Sequence, residues 1–114
     1  MKTIKNNSNI MSHILGKFEE NQLSEIEFGI ESGLGTFVLA YTDPEFDSFQ
    51  MAEIRMGLQS GVDVSVYANA KFNKFQMEQI RLGLESGVDV EVYSKHEIDA
   101  FKMEQIRRLL ENNL

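Results

Sequence analysis

The sequence predicts an all-α protein, a short helical-repeat stack of about 3.5 units of 26–28 residues each. Three observations predict it. First, FDSFQMAEIRMGLQSGVDVSVYANAK from Phe46, FNKFQMEQIRLGLESGVDVEVYSKHE from Phe72 and IDAFKMEQIRRLLENNL from Ile98 read almost as copies with a period of 26 residues. Second, a more diverged copy, FEENQLSEIEFGIESGLG from Phe18, keeps Leu23, Ile26, Phe28, Gly29, Ile30 and Gly33 in register, before a connector that is two residues longer. Third, helix start and stop signals recur at the same place in each copy. The units are 18–45, 46–71, 72–97 and 98–114, one repeat domain behind a basic leader, 1–17. Units with such a period cannot bury their apolar faces alone and must stack on their neighbours.

Each unit opens with a helix. Asp47 and Asn73 are good N-caps, and Gln50 and Gln76 three residues later complete capping boxes. Phe46, Phe72 and Ile98 precede the caps, and Met51, Met77 and Met103 stand five further on, the pairs a hydrophobic staple joins. Unit one keeps the pair as Phe18 and Leu23 but has Glu19, a poorer cap. Gly33, Gly61 and Gly87 occupy the left-handed position that closes a helix, each followed by an apolar residue, Leu34, Val62 or Val88. Helices of about twelve residues follow.

On a helical wheel Met77, Ile80 and Leu84 fall within about 60° of one another, one buried stripe. Phe75 with Leu82, and Phe49 with Met56, form a second stripe on nearly the opposite side, which predicts middle helices packed on two sides. The outer units differ as caps should, with Asn21 at the Phe75 position and Arg108 at the Leu82 position. Gly29, Gly57 and Gly83 lie inside the helices, where glycine costs roughly 1 kcal/mol, so close packing against them is expected. The segments VDVSVY from Val62 and VDVEVY from Val88 favour a short helix capped by Asp63 and Asp89, with an α+β fold as the alternative if their alternation marks strands. Tyr41, Tyr67 and Tyr93 at equivalent positions read as spacer packing.

At 114 residues, 42% hydrophobic and 25% charged, the chain has the composition of a globular domain and no apolar run near the ~20 residues of a membrane span. The absence of cysteine excludes disulfides and thiolate sites, and the start, MKTIKNNSNIMSHIL, lacks the apolar core of a signal peptide. A cytoplasmic setting is expected. The net charge of −7 disfavours binding to nucleic acid or an anionic membrane.

No phosphate loop, dinucleotide pattern, zincin motif, nucleophile elbow or calcium loop is present, so the protein reads as no enzyme, with no catalytic residue, no metal and no cofactor. His13 and His96 read as solvated histidines. Arg55, Arg81 and Arg107 form a ladder at one wheel position that could clamp a phosphate or acidic peptide, although pairing with carboxylates of the same or a neighbouring unit explains it better. Acidity is concentrated. Residues 1–17 hold three lysines and no acid, 18–54 hold nine acids and no base, and 55–114 hold nine acids and eight bases. Glu19, Glu20, Glu25, Glu27, Glu31, Asp43, Glu45, Asp47 and Glu53 thus read as a solubilising face or as a steering surface for a basic partner, including a protein whose groove holds nucleic acid.

The strings QMAEIRMGLQSGVDVSVYANAKF and QMEQIRLGLESGVDVEVY resemble tandem QMxxIRxGLxxGVDVxxY repeats of phage and mobile-element proteins in Firmicutes. The likeness covers residues 46–111 well and 18–45 loosely, and unit four departs from it at Arg108 and Leu109. The resemblance assigns no catalytic residue. It implies a small mobile-element protein and, with the acidity, an anti-CRISPR-like inhibitor. The expected function is a nonenzymatic protein-binding module, with self-association through exposed Phe28 and Phe101 as the alternative.

Overall fold

A computed structural model describes residues 16–114. Among the described residues four α-helices, α1 (Glu20–Glu31), α2 (Ser48–Gln59), α3 (Lys74–Ser86) and α4 (Ala100–Asn112), alternate with three 3-10 turns, Gly35–Ala40, Val64–Val66 and Val90–Val92. The fold is all-α, with no strand among the described residues. His13 and the leader up to residue 15 lie outside the described residues.

The helices start where the capping residues place them. Asp47, Asn73 and Asp99 accept the N–H of Gln50, Gln76 and Lys102 at 2.8, 2.9 and 2.8 Å. Glu19 also serves, because Gln22 Oε1 accepts its backbone N–H. At the other end Gly33, Gly61 and Gly87 have φ of 89, 79 and 81°, where a side chain would be strained. The following N–H groups of Leu34, Val62 and Val88 return to the carbonyls of Gly29, Gly57 and Gly83 at 3.0, 3.1 and 3.1 Å. Asp63 and Asp89 then cap the 3-10 turns by accepting from Ser65 and Glu91. These turns close on themselves, as in Tyr67 N–H to the Val64 carbonyl at 3.0 Å, so the VDVSVY and VDVEVY segments are 3-10 turns and not the strands of the α+β alternative.

The helices pack in chain order, α1 on α2, α2 on α3 and α3 on α4, and the described chain measures 55 × 25 × 16 Å. Met51, Ile54, Met77, Ile80 and Met103 are fully buried between them. Beneath each of the first three helices lies its own 3-10 turn, held by a tyrosine that is fully buried and a valine that nearly is: Tyr41 with Val38, Tyr67 with Val64, Tyr93 with Val90. The tyrosine hydroxyls reach the helix backbone, donating to the carbonyls of Glu25, Glu53 and Gln79 at 2.9, 2.7 and 2.7 Å. Gly29, Gly57 and Gly83 make this possible, because a Cβ at any of them would collide with the hydroxyl and the valine together. The close packing expected at these glycines is thus supplied by the tyrosines, which do more than fill a spacer.

One expectation is corrected. The second apolar stripe is only partly packed: Met56 and Leu82 are half-buried, but Phe49 and Phe75 are 60% and 57% exposed. A helix in a single row is covered by its two neighbours and its own 3-10 turn, and its fourth side faces solvent.

Candidate functional site

The nine acidic residues of 18–54 do not form one face. Glu19 and Asp47 sit at helix starts, and Asp43 accepts the Glu45 N–H at 2.9 Å within its turn. Glu25 and Glu53 point into the row, where Arg55 and Arg81 of the next units bind them through Nε at 2.8 Å. Glu20, Glu27, Glu31 and Glu45 remain exposed.

The arginine ladder is internal. Arg55, Arg81 and Arg107 keep only 12, 13 and 11% of their side chains exposed. Each spends Nε on the preceding helix and Nη1 on its own. Arg55 takes Glu25 and Gln59, Arg81 takes Glu53 and Glu85, and Arg107 takes Gln79 and Glu111. A phosphate clamp would need those donors, so pairing is the role the geometry gives them. Burial pushes the Glu53 carboxyl above the usual range, partly offset by its hydrogen bond from Arg81. Glu111, with hydrogen bonds from Arg107 and Ser86, is held below it.

A second internal ladder escapes a reading of the sequence as capping boxes alone. Gln22, Gln50 and Gln76 are buried, and besides accepting the cap N–H their Nε2 groups donate to the loop ahead of the next helix. Gln22 reaches the Phe46 carbonyl at 2.6 Å, Gln50 that of Phe72 at 2.6 Å, and Gln76 that of Ile98 at 2.7 Å. Each also reaches a second carbonyl, of Pro44, Ala70 or His96. One signal was available: the fourth unit carries Lys102 at this position instead of glutamine.

The open side of the row carries the least expected feature. Phe49, Phe75 and Phe101, each the second residue of its helix, are 60, 57 and 69% exposed and form a ridge. Met56 and Leu82 lie half-buried two turns further along α2 and α3. Lys74 Nζ sits 3.9 Å from the Phe49 ring centroid and 5.0 Å from that of Phe75, bridging the two. Asn21 replaces the phenylalanine on α1 and leaves a depression of about 220 Å³ lined by Glu19, Asn21, Gln22, Asp47, Ser48 and Phe49. Phe28 is half-exposed, with the Arg55 guanidinium 4.3 Å above its ring.

Among the described residues no group of three or more His, Asp or Glu is placed to hold a metal ion, and no helix is long and apolar enough to cross a membrane. Comparison with protein-family models, curated proteins and solved structures found no match.

Proposed function

We propose that this chain is a nonenzymatic protein-binding module whose phenylalanine ridge and acidic first unit engage a basic, nucleic-acid-handling protein. The observation that carries the reading is the repeated exposure of Phe49, Phe75 and Phe101. Single exposed apolar residues are ordinary, whereas a row of aromatic rings on one face is the kind of patch that marks an interaction site. The exposed Glu20, Glu27, Glu31 and Glu45, with a net charge of −7, add attraction for a basic surface. An inhibitor from a phage or mobile element, acting in the cytoplasm on a host protein in the manner of an anti-CRISPR, is the setting these properties suit. Residues 18–114 act in it as one domain.

Photo-crosslinking tests this. A crosslinker at position 75 is expected to capture a basic protein from host extract, and one at Glu91, exposed on a 3-10 turn, is not. Charge reversal of Glu20, Glu27 and Glu31 together is expected to weaken capture and its dependence on salt. Equal capture from both positions would overturn the reading.

A second reading, self-association, is favoured by α4, where Phe101 and Leu109 are 69% and 64% exposed. Sedimentation at high protein concentration separates the two, since a concentration-dependent dimer lost on L109S would support it.

A further inference from the structure

The ridge repeats, but its charges do not. Phe49, Phe75 and Phe101 stand at the same position of helices that start from equivalent caps, Asp47, Asn73 and Asp99, and successive helices pack alike. Between the first two rings lies the chain's own ammonium group, Lys74 Nζ, within cation–π distance of both. At the equivalent position between Phe75 and Phe101 stands Ala100, which has no charge to offer. One turn along the later helix of each gap stands a glutamate, Glu78 after Phe75 in the first gap and Glu104 after Phe101 in the second, so the difference between the gaps is the cation at the helix start. Glu104 is bound by Arg108 at 2.8 Å.

From this we infer that the gap between Phe75 and Phe101 is a seat for a basic side chain of the partner, a lysine or arginine that takes the place Lys74 holds one unit earlier. The inference rests on the protein-binding reading and specifies its chemistry. Two aromatic faces attract a cation through their quadrupoles, and a cation lying between them also shields apolar ring surface with its methylene stem. The exposed carboxylates of the first unit, with the net charge of −7, raise the concentration of cations around the whole row. The site asks for charge together with a flexible stem, which distinguishes it from an apolar docking ridge and from the exposed carboxylates acting alone.

The test is an NMR titration of the full chain at low salt with tetralysine and, separately, with the same peptide acetylated at every Nε. Tetralysine is expected to shift the ring resonances of Phe75 and Phe101 and the amide of Ala100, and the acetylated peptide to leave them unmoved. A100K, which supplies the missing cation from within, is expected to weaken the tetralysine response at Phe101 at least threefold, roughly what one exposed cation–π contact contributes. K74A is expected to open a second seat, with new shifts at Phe49. Both substitutions lie at the first position of a helix, where alanine and lysine are each tolerated in this chain, so folding is retained. Equal shifts from the acetylated peptide would overturn the cation seat while leaving the ridge as a protein-binding face. Tetralysine shifts confined to Glu20, Glu27 and Glu31 would overturn it in favour of charge attraction alone, as would a response unchanged in A100K.

Discussion

The Tyr67 hydroxyl lies directly over Gly57 and donates to the carbonyl of Glu53, one turn earlier, at 2.7 Å. The same pair recurs as Tyr41 over Gly29 and Tyr93 over Gly83, and it fixes the 3-10 turn beneath each helix. Helix propensity alone says that Gly57→Ala should stabilise by roughly 1 kcal/mol. Packing opposes this, because the added methyl would overlap the hydroxyl and Val64 Cγ1, and overpacking costs about 1–3 kcal/mol beyond the lost hydrogen bond. G57A is therefore expected to lower the urea midpoint. Y67F, which keeps the ring and removes only the hydroxyl, is expected to cost about 1 kcal/mol. A G57A protein more stable than wild type would show that the tyrosine does not occupy this position.

Gln50 joins two units with one side chain. Its Oε1 accepts the Asp47 N–H at 2.8 Å and its Nε2 donates to the Phe72 carbonyl at 2.6 Å. Q50A would leave a buried cap N–H and a buried carbonyl without partners, at about 1–3 kcal/mol each before relaxation or water entry. We expect a loss of about 2–4 kcal/mol in urea unfolding, with faster hydrogen exchange at the Asp47 amide. K102A, at the equivalent position of α4 but with an exposed side chain, is expected to change stability by less than about 0.5 kcal/mol.

What the sequence discloses and what it hides divide along a physical line. Caps, left-handed glycines and the Met51, Ile54, Met77 and Ile80 stripe are local or periodic, and all stand where the pattern puts them. Periodicity reports that a helix has two apolar sides, not how many neighbours it has, so Phe49 and Phe75 read as buried although a single row leaves them open. Charge counting fails for a related reason. Glu25 looks uncompensated in a run of acids because its cation, Arg55, lies in the next unit, and the same holds for Glu53 and Arg81. The glycine–tyrosine pairing leaves a trace in the sequence, since Gly29, Gly57 and Gly83 are each followed by a tyrosine, Tyr41, Tyr67 or Tyr93, at the equivalent place in its unit. Gln50 was half-legible: its capping role is local and its second role depends on the following loop.

All three tyrosines of the chain are the buried ones over the glycines. Burial pushes Tyr41 and Tyr93 up to about 12, and Tyr67 higher still, from an ordinary value of 10.0. Above pH 10 the unfolded chain releases phenolic protons that the folded chain retains, so stability falls as pH rises. An alkaline titration followed by the phenolate absorbance is expected to show no ionisation near pH 10 while the fold persists, and then a steep rise coincident with unfolding. A tyrosine titrating reversibly near 10 in the folded protein would contradict this burial.

Glu53 and Gln79 are equivalent residues that give their arginines the same contact, Arg81 Nε to Glu53 at 2.8 Å and Arg107 Nε to Gln79 at 2.9 Å. The chain thus contains its own neutral version of the Glu53–Arg81 pair. Burial raises the Glu53 pKa above 4.5, against the opposing hydrogen bond and charge of Arg81. Below 4.5 both folded and unfolded states hold the proton; between 4.5 and the raised value only the folded state does, and stability falls as pH rises through that window. Above it the cost of the buried charge is fully present. E53Q removes this dependence and retains the hydrogen bond, so it is expected to be within about 1 kcal/mol of wild type at neutral pH. Its stability relative to wild type should rise as pH increases from about 4 to about 7. Urea unfolding of both proteins across that range measures the difference. A relative stability that falls with rising pH would mean that the ion pair outweighs the burial of Glu53.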